Sequence, residues 1–324
     1  MSKKLAQLTI LALLLCIGAS CSLFHKKDDE LLMRPKKLTE AEVKQLLSDV
    51  EIMQTHADKG RRNAVTHKAT QMRFDFPKIS AFDLEPLVKA ELYIARGKWL
   101  AGAKTYQKML DEFPESVLKE PALMRLFTIG NIYNQGKKKA FLGLFKVDAY
   151  AEGAKLLDRV TEEAGLEDPN GLGVRAALNV VDRHEKREKY EDAYLKWLEI
   201  STIWQRGDLG RQALLGMART KRAAYNANPQ EKRPFYDGAN LKAAKTYYEK
   251  FRITFPDEAE TLKIEQIISD IERQMAQKEL TIGQYYQRIG KEQAANIYFD
   301  LVIRNWPNTP AAQQAREITK ADSR

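Results

Sequence analysis

The sequence predicts an all-α repeat array of about five helix pairs, and three observations carry that prediction. The stretch YQKMLDEFP (Tyr106 to Pro114) recurs as YEKFRITFP (Tyr248 to Pro256) and as FDLVIRNWP (Phe299 to Pro307). Counting back from each proline finds a small residue at twelve, an aromatic at eight and an apolar residue at five: Gly102, Tyr106, Met109; Ala244, Tyr248, Phe251; Ala295, Phe299, Val302. This spacing puts all three side chains on one helix face. Upstream of the last copy, Ile282, Gly283, Tyr286 and Gly290 again stand at helical spacing and end in a helix-stopping glycine, and Ile129, Gly130, Tyr133 and Gly136 repeat them.

Two degenerate copies keep the spacing without the proline, Gly153, Leu157, Val160 and Ala193, Trp197, Ile200, which makes five units. Their small residues are separated by 51, 40, 51 and 51 positions. A bare tetratricopeptide unit needs about 34, so these units match the tetratricopeptide pattern with insertions or lengthened helices. Small residues such as Gly283 and Ala295 let two helix axes approach closely, and aromatics fill the grooves beside them. Tyr106, Trp197, Tyr248, Tyr286 and Phe299 are therefore expected to be packing residues, with Pro114, Pro256 and Pro307 closing their units.

In chain order, the first stretch is MSKKLAQLTILALLLCIGASC. Lys3 and Lys4, an apolar run and then Gly18, Ala19 and Ser20 form the layout of a secretory signal. The cysteine after the small residues resembles the end of a bacterial lipobox, which predicts a signal peptide over 1–20 and acylation at Cys21. The competing reading is an uncleaved anchor over Leu5 to Phe24, about the length that spans a bilayer. Residues 21–37 are charged and read as a tether. Leu38 to Met53 carries an acidic first turn after Thr39 and apolar Val43, Leu46, Leu47 and Val50, which predicts one amphipathic helix. His56 to Ser80 is basic and weakly periodic and reads as a connection, giving an N-terminal helix and connection over 38–82. The five-repeat array follows over 83–315, with a tail at 316–324. Within it, KKKAFLGLFKVDAY and NANPQEKRPFYDG read as insertions, and Ala259 to Tyr286, lacking Gly and Pro before Gly283, as one long helix.

Composition narrows the function classes. Net charge is +9, but 53 basic and 44 acidic residues are interleaved, so no dedicated basic domain exists. Both cysteines, Cys16 and Cys21, lie in the signal region, which leaves the body without a disulfide or thiolate metal site. The four histidines, His25, His56, His67 and His184, show no metal-ligand spacing, and no nucleophile elbow or phosphate loop is present. His184 falls where Tyr133 and Tyr286 stand in other units and reads as packing. GLGVRA (Gly171 to Ala176) satisfies a Gly-x-Gly-x-x-Ala pattern but has no strand before it, so it reads as an inter-repeat turn. GKKK, KGRR and RTKR read as solvated loops or headgroup contacts, with nucleic acid disfavoured by export. The expectation is a non-enzyme without metal or cofactor.

Function is then expected on the face lined by the first helix of each pair. Tetratricopeptide geometry projects Glu91, Asn131, Asn134, Asp182, Glu185, Lys221, Gln284 and Arg288 toward it. Asn131 and Asn134 form the expected peptide-reading pair, since an asparagine amide both donates and accepts.

The last sixty or so residues, with a long helix, Tyr285 and Tyr286, a glycine and the close Trp306, Pro307, Thr309, resemble the C-terminal repeat of the BamD family of outer-membrane assembly lipoproteins. GLFKVD (Gly143 to Asp148) resembles a loop that the family carries in a middle repeat. The resemblance covers Pro86 to Ala315. Tyr298 stands where a partner-facing arginine is sought, and the chain is longer than a typical member. The resemblance implies a lipid-anchored outer-membrane scaffold facing the periplasm, with a BamA-like barrel-assembly protein and unfolded outer-membrane protein segments as partners. The alternative is an envelope tetratricopeptide lipoprotein serving a secretin, pilus or cell-wall machine.

Overall fold

The computed structural model describes residues 38–77, 79, 82–141 and 145–322. The expected signal, the acylation at Cys21 and the tether lie outside the described residues. The chain divides into two units, Met1–Ala122 and Leu123–Arg324.

In the first unit, Thr39 caps α1 (Glu40–Asp58) through a capping box with Glu42, which satisfies two helix-end N–H groups reciprocally. Leu46, Val50 and Met53 form its buried stripe, and Asp49, also buried, is neutralised by Lys68 at 2.5 Å. The predicted connection after it is instead a helix, α2 (Arg62–Asp75). Val65, Ala69 and Met72 are fully buried on one face, and the remaining positions are polar apart from Ala64 and the exposed Phe74, which is why the segment reads as weakly periodic. α3 (Leu84–Ala95) and α4 (Trp99–Glu112) follow, and α1 packs on α2 and α3, and α3 on α4. A Cβ at Gly102 would stand 3.0 Å from the Ala90 carbonyl and 2.7 Å from Ile94, so the close approach requires glycine there.

α2 ends as the recognised repeats do. The amide N–H of Phe76 bonds the Met72 carbonyl at φ −123°, ψ 60°, and Pro77 follows. Phe113 before Pro114 sits at φ −132°, ψ 62°, Phe255 before Pro256 at −132°, 67°, and Trp306 before Pro307 at −135°, 57°. A proline drives the residue before it out of the helical region, so the aromatic leaves the helix and stays against its own last turn. Counting back from Pro77 lands on Val65, Ala69 and Met72, which makes α1 and α2 a further helix pair of the same kind.

α5 (Lys119–Asn134) runs across the division between the units. Beyond it the second unit holds β1 (Lys138–Phe141), β2 (Phe145–Asp148), α6 (Tyr150–Ala164), α7 (Leu172–Lys186), α8 (Tyr190–Ile203) and α9 (Gly207–Asn226). After a 3-10 turn at Gln230–Phe235 come α10 (Ala239–Thr254), α11 (Pro256–Thr261), α12 (Ile264–Arg288), α13 (Glu292–Asn305) and α14 (Pro310–Asp322). Successive helices pack on one another from α6 to α10, α10 packs on α12, and α12, α13 and α14 pack mutually. The described residues thus form the all-α, pairwise-helical fold, with one antiparallel hairpin pairing Lys138 with Asp148 and Phe141 with Phe145.

The contacts between helices follow the small-against-large rule. A Cβ on Gly130 would meet the Leu157 side chain, one on Gly216 would overlap the Trp197 indole, and one on Gly283 would stand 2.7 Å from the Phe299 ring. Gly153 meets backbone, with the Gly130 carbonyl 2.7 Å from where its Cβ would be. GLGVRA is a turn into a helix: Gly171 is the N-cap of α7, and a Cβ at Gly173 would strike the Gly165 carbonyl. The long helix expected from Ala259 is broken, since Lys263 adopts φ 54°, ψ 42° and separates α11 from α12. No glycine or proline marks that break.

Candidate protein-interaction site

The structure treats the eight expected groove residues unequally. In the first unit, Glu91 is fully buried on α3 and accepts a hydrogen bond from the Tyr106 hydroxyl of α4. It is an internal packing carboxylate, which corrects its assignment to an open groove. In the second unit, Asn134 is 2% exposed, and its amide donates to the Asn179 carbonyl of α7 at 2.9 Å. The backbones of α5 and α6 touch beside Gly153, so Asn134 is enclosed and links α5 to α7. The expected peptide-reading pair is thereby split, with Asn131 half-buried and accepting from Gln135 at 3.2 Å. Asp182 is exposed and paired with Lys186 at 2.7 Å, Gln284 is half-buried, and Arg288 is exposed.

Glu185 and Lys221 enter a ladder of charged pairs that crosses α7, α8 and α9. Glu185 accepts from the Trp197 indole N–H at 2.8 Å and from Arg219 at 2.7 Å. Lys221 reaches Glu191 at 2.6 Å and lies 4.0 Å above the Tyr194 ring centroid. That geometry combines an ion pair with a cation–π contact. Tyr194 in turn bonds the Tyr247 hydroxyl of α10 at 2.7 Å. Burial, reinforced by this bond, pushes the Tyr247 phenol up to about 12. On α12, Asp270 stands 3.6 Å from Arg222 and pairs with Arg273, while Glu272 pairs with Lys245 of α10 at 2.8 Å.

RTKR is accordingly not a solvated loop. Arg219, Lys221 and Arg222 lie inside α9, each facing an acidic residue of a neighbouring helix. Glu191, Tyr194, Tyr247, Asp270 and Arg273 were not expected as site residues. Opposite charges at intervals along successive helices were the available signal, but without the pairing of helices they read as ordinary surface.

His184 is a packing residue with a polar tie: its Nδ1 lies 2.6 Å from the Tyr150 hydroxyl, ring edge to face. Burial lowers the imidazole and raises the phenol from their ordinary values. Arg187 covers the Tyr150 ring at 4.5 Å and pairs with Asp148 of β2 at 2.8 Å, while Lys139 of β1 pairs with Glu152 of α6. The hairpin, isolated from any larger sheet, is thus pinned to α6 and α7 through its charges. A two-stranded ribbon is marginal by itself in water.

The expected packing residues divide by role. Tyr106, Trp197, Tyr248, Gly283 and Phe299 are buried, whereas Tyr286 is half-buried and stacked on Tyr298 at 5.5 Å. Pro114, Pro256 and Pro307 are exposed, and Pro256 opens α11. Among the described residues no group of three His, Cys, Asp or Glu side chains is placed to hold a metal, and no helix is long and apolar enough to cross a membrane.

The charged ladder from α9 onward coincides with a sequence match. Residues 212–323 match the YfiO family, described as outer membrane lipoprotein. This is the BamD family, and the YfiO-like segment spans most of α9 and continues into α14. No curated protein matches the chain. Among solved structures, the C-terminal part of a TPR repeat-containing protein from Cytophaga hutchinsonii is 13% identical, covering 80% of this chain and 83% of that one, with a TM-score of 0.33. PilW, a type IV pilus biogenesis factor, is 16% identical, covering 86% of this chain and 99% of that one, with a TM-score of 0.28. The family match stands on the YfiO-like segment.

Proposed function

We propose that this chain is a non-enzymatic, lipid-anchored scaffold of the outer membrane that takes part in assembling β-barrel proteins. In this reading Cys21 is acylated, the helix pairs face the periplasm, and the protein binds an unfolded barrel segment and a BamA-like barrel-assembly partner. The observation that carries it is the YfiO match over residues 212–323, which falls on the helices bearing the interhelical charges. Paired helices that present polar side chains from successive elements suit protein binding, since each pair contributes a few contacts to one long surface. The test is affinity purification of the intact protein from membranes. Recovery of a barrel-assembly protein is expected; recovery of a secretin, pilus or cell-wall component without it overturns the reading. Cys21→Ala is expected to abolish processing and membrane retention.

A further inference from the structure

We propose that the cleft between α9, α12 and the start of α14 is a docking site for a single carboxylate, an Asp or Glu side chain on a protein partner. This rests on the scaffold reading above and gives it a point of contact. The cleft encloses about 380 Å³ and is lined by Arg222, Asp270, Arg273, Gln274, Gln277 and Thr309.

Its charges are unbalanced in a particular way. Two guanidiniums face one carboxylate, so one positive charge remains. Asp270 pairs with Arg273, but its approach to Arg222 is 3.6 Å, beyond hydrogen-bond distance. A guanidinium presents a planar fork that matches a carboxylate through two parallel bonds. The Arg222 side chain is three-quarters covered, whereas Arg273 is exposed at the rim, so one cation is held while the other stands at the entrance.

Two further features agree. Arg222 Nε and Gln274 Oε1 are buried without a hydrogen-bond partner, so re-aiming either group breaks no bond at that atom. The first turn of α14 carries no acidic residue, although a negative charge is favoured at a helix N-terminus. A monoanion neutralises the cleft. A phosphate, near −2, would leave it with excess negative charge and no cation to meet it.

The test places a photo-crosslinking amino acid at Gln277, which is exposed at the rim, in the full-length chain, and irradiates intact cells. The expected result is an adduct with a protein, mapped by mass spectrometry to a peptide containing Asp or Glu. Arg222→Gln and Arg273→Gln should each cut its yield by about tenfold, the effect of losing roughly one good ionic contact. Because Arg273 is exposed, its variant keeps the test valid if Arg222→Gln alters folding. Arg273→Glu should abolish the adduct, and reversing the partner's acidic residue to Lys should restore it. Undiminished yield in both Gln variants, or an adduct to lipid, overturns the site. An adduct through an acidic residue of a secretin would retain the site while removing the barrel-assembly reading. A barrel-assembly protein co-purifying normally with both Gln variants, without crosslinking, would do the reverse.

Discussion

The Tyr106 hydroxyl donates to the Glu91 carboxylate, with both side chains fully buried where α4 packs on α3. A carboxylate enclosed this way depends on its donors. Tyr106→Phe keeps the ring and removes one of them, and is expected to destabilise the fold by ~1–3 kcal/mol. Chemical denaturation checks this; a midpoint unchanged from wild type would show that the bond contributes nothing.

Gly153 touches the backbone of α5, so a methyl group there has no flexible neighbour to displace. Gly153→Ala is expected to cost about 1–3 kcal/mol, the range for overpacking a close contact. Gly97→Ala is the contrast, because nothing lies within 4 Å of its Cβ position, and only the strain of φ +73° remains. Thermal melts of the two variants separate crowding from backbone strain.

Burial lowers the folded-state His184 below its ordinary value of 6.5. The unfolded chain then binds the proton more readily than the folded one. His184 therefore contributes full stability above about pH 6.5, and that contribution falls as pH drops through the folded-state value. His184→Gln should flatten the acid side of a stability profile measured between pH 4 and 8. An unchanged slope would remove His184 as its source.

Tyr247, pushed up to about 12 by burial and by its bond to Tyr194, should give a late step well above the ordinary tyrosine value in an ultraviolet titration. Tyr194→Phe is expected to bring that value down and to weaken the Lys221 cation–π contact, because phenylalanine attracts a cation less well. If the late titration persists unchanged, burial alone accounts for it.

Much of the fold was readable because the repeat writes itself in side-chain volume: a small residue, an aromatic and an aromatic–proline corner at set offsets. α2 was missed because it inverts that code, with Val65 in the small position and Ala69 in the aromatic one, although Phe76–Pro77 was in plain view. The break at Lys263 was not readable, since a left-handed lysine has no local signature. Glu91 and Asn134 went wrong for another reason. Helix-face arithmetic gives the direction of a side chain but not the depth of the neighbouring helix, and close approach at Gly102 and Gly153 closes the space where a groove was expected. The charged ladder needed the pairing of helices before its partners could be named.

The packing of α1 on α2 fixes where a leash from the membrane would end. With Cys21 acylated as proposed, only residues 22–38 separate the lipid from the first packed helix. Fully extended, that stretch reaches at most about 60 Å. On that proposal the first helices work within one short radius of the bilayer.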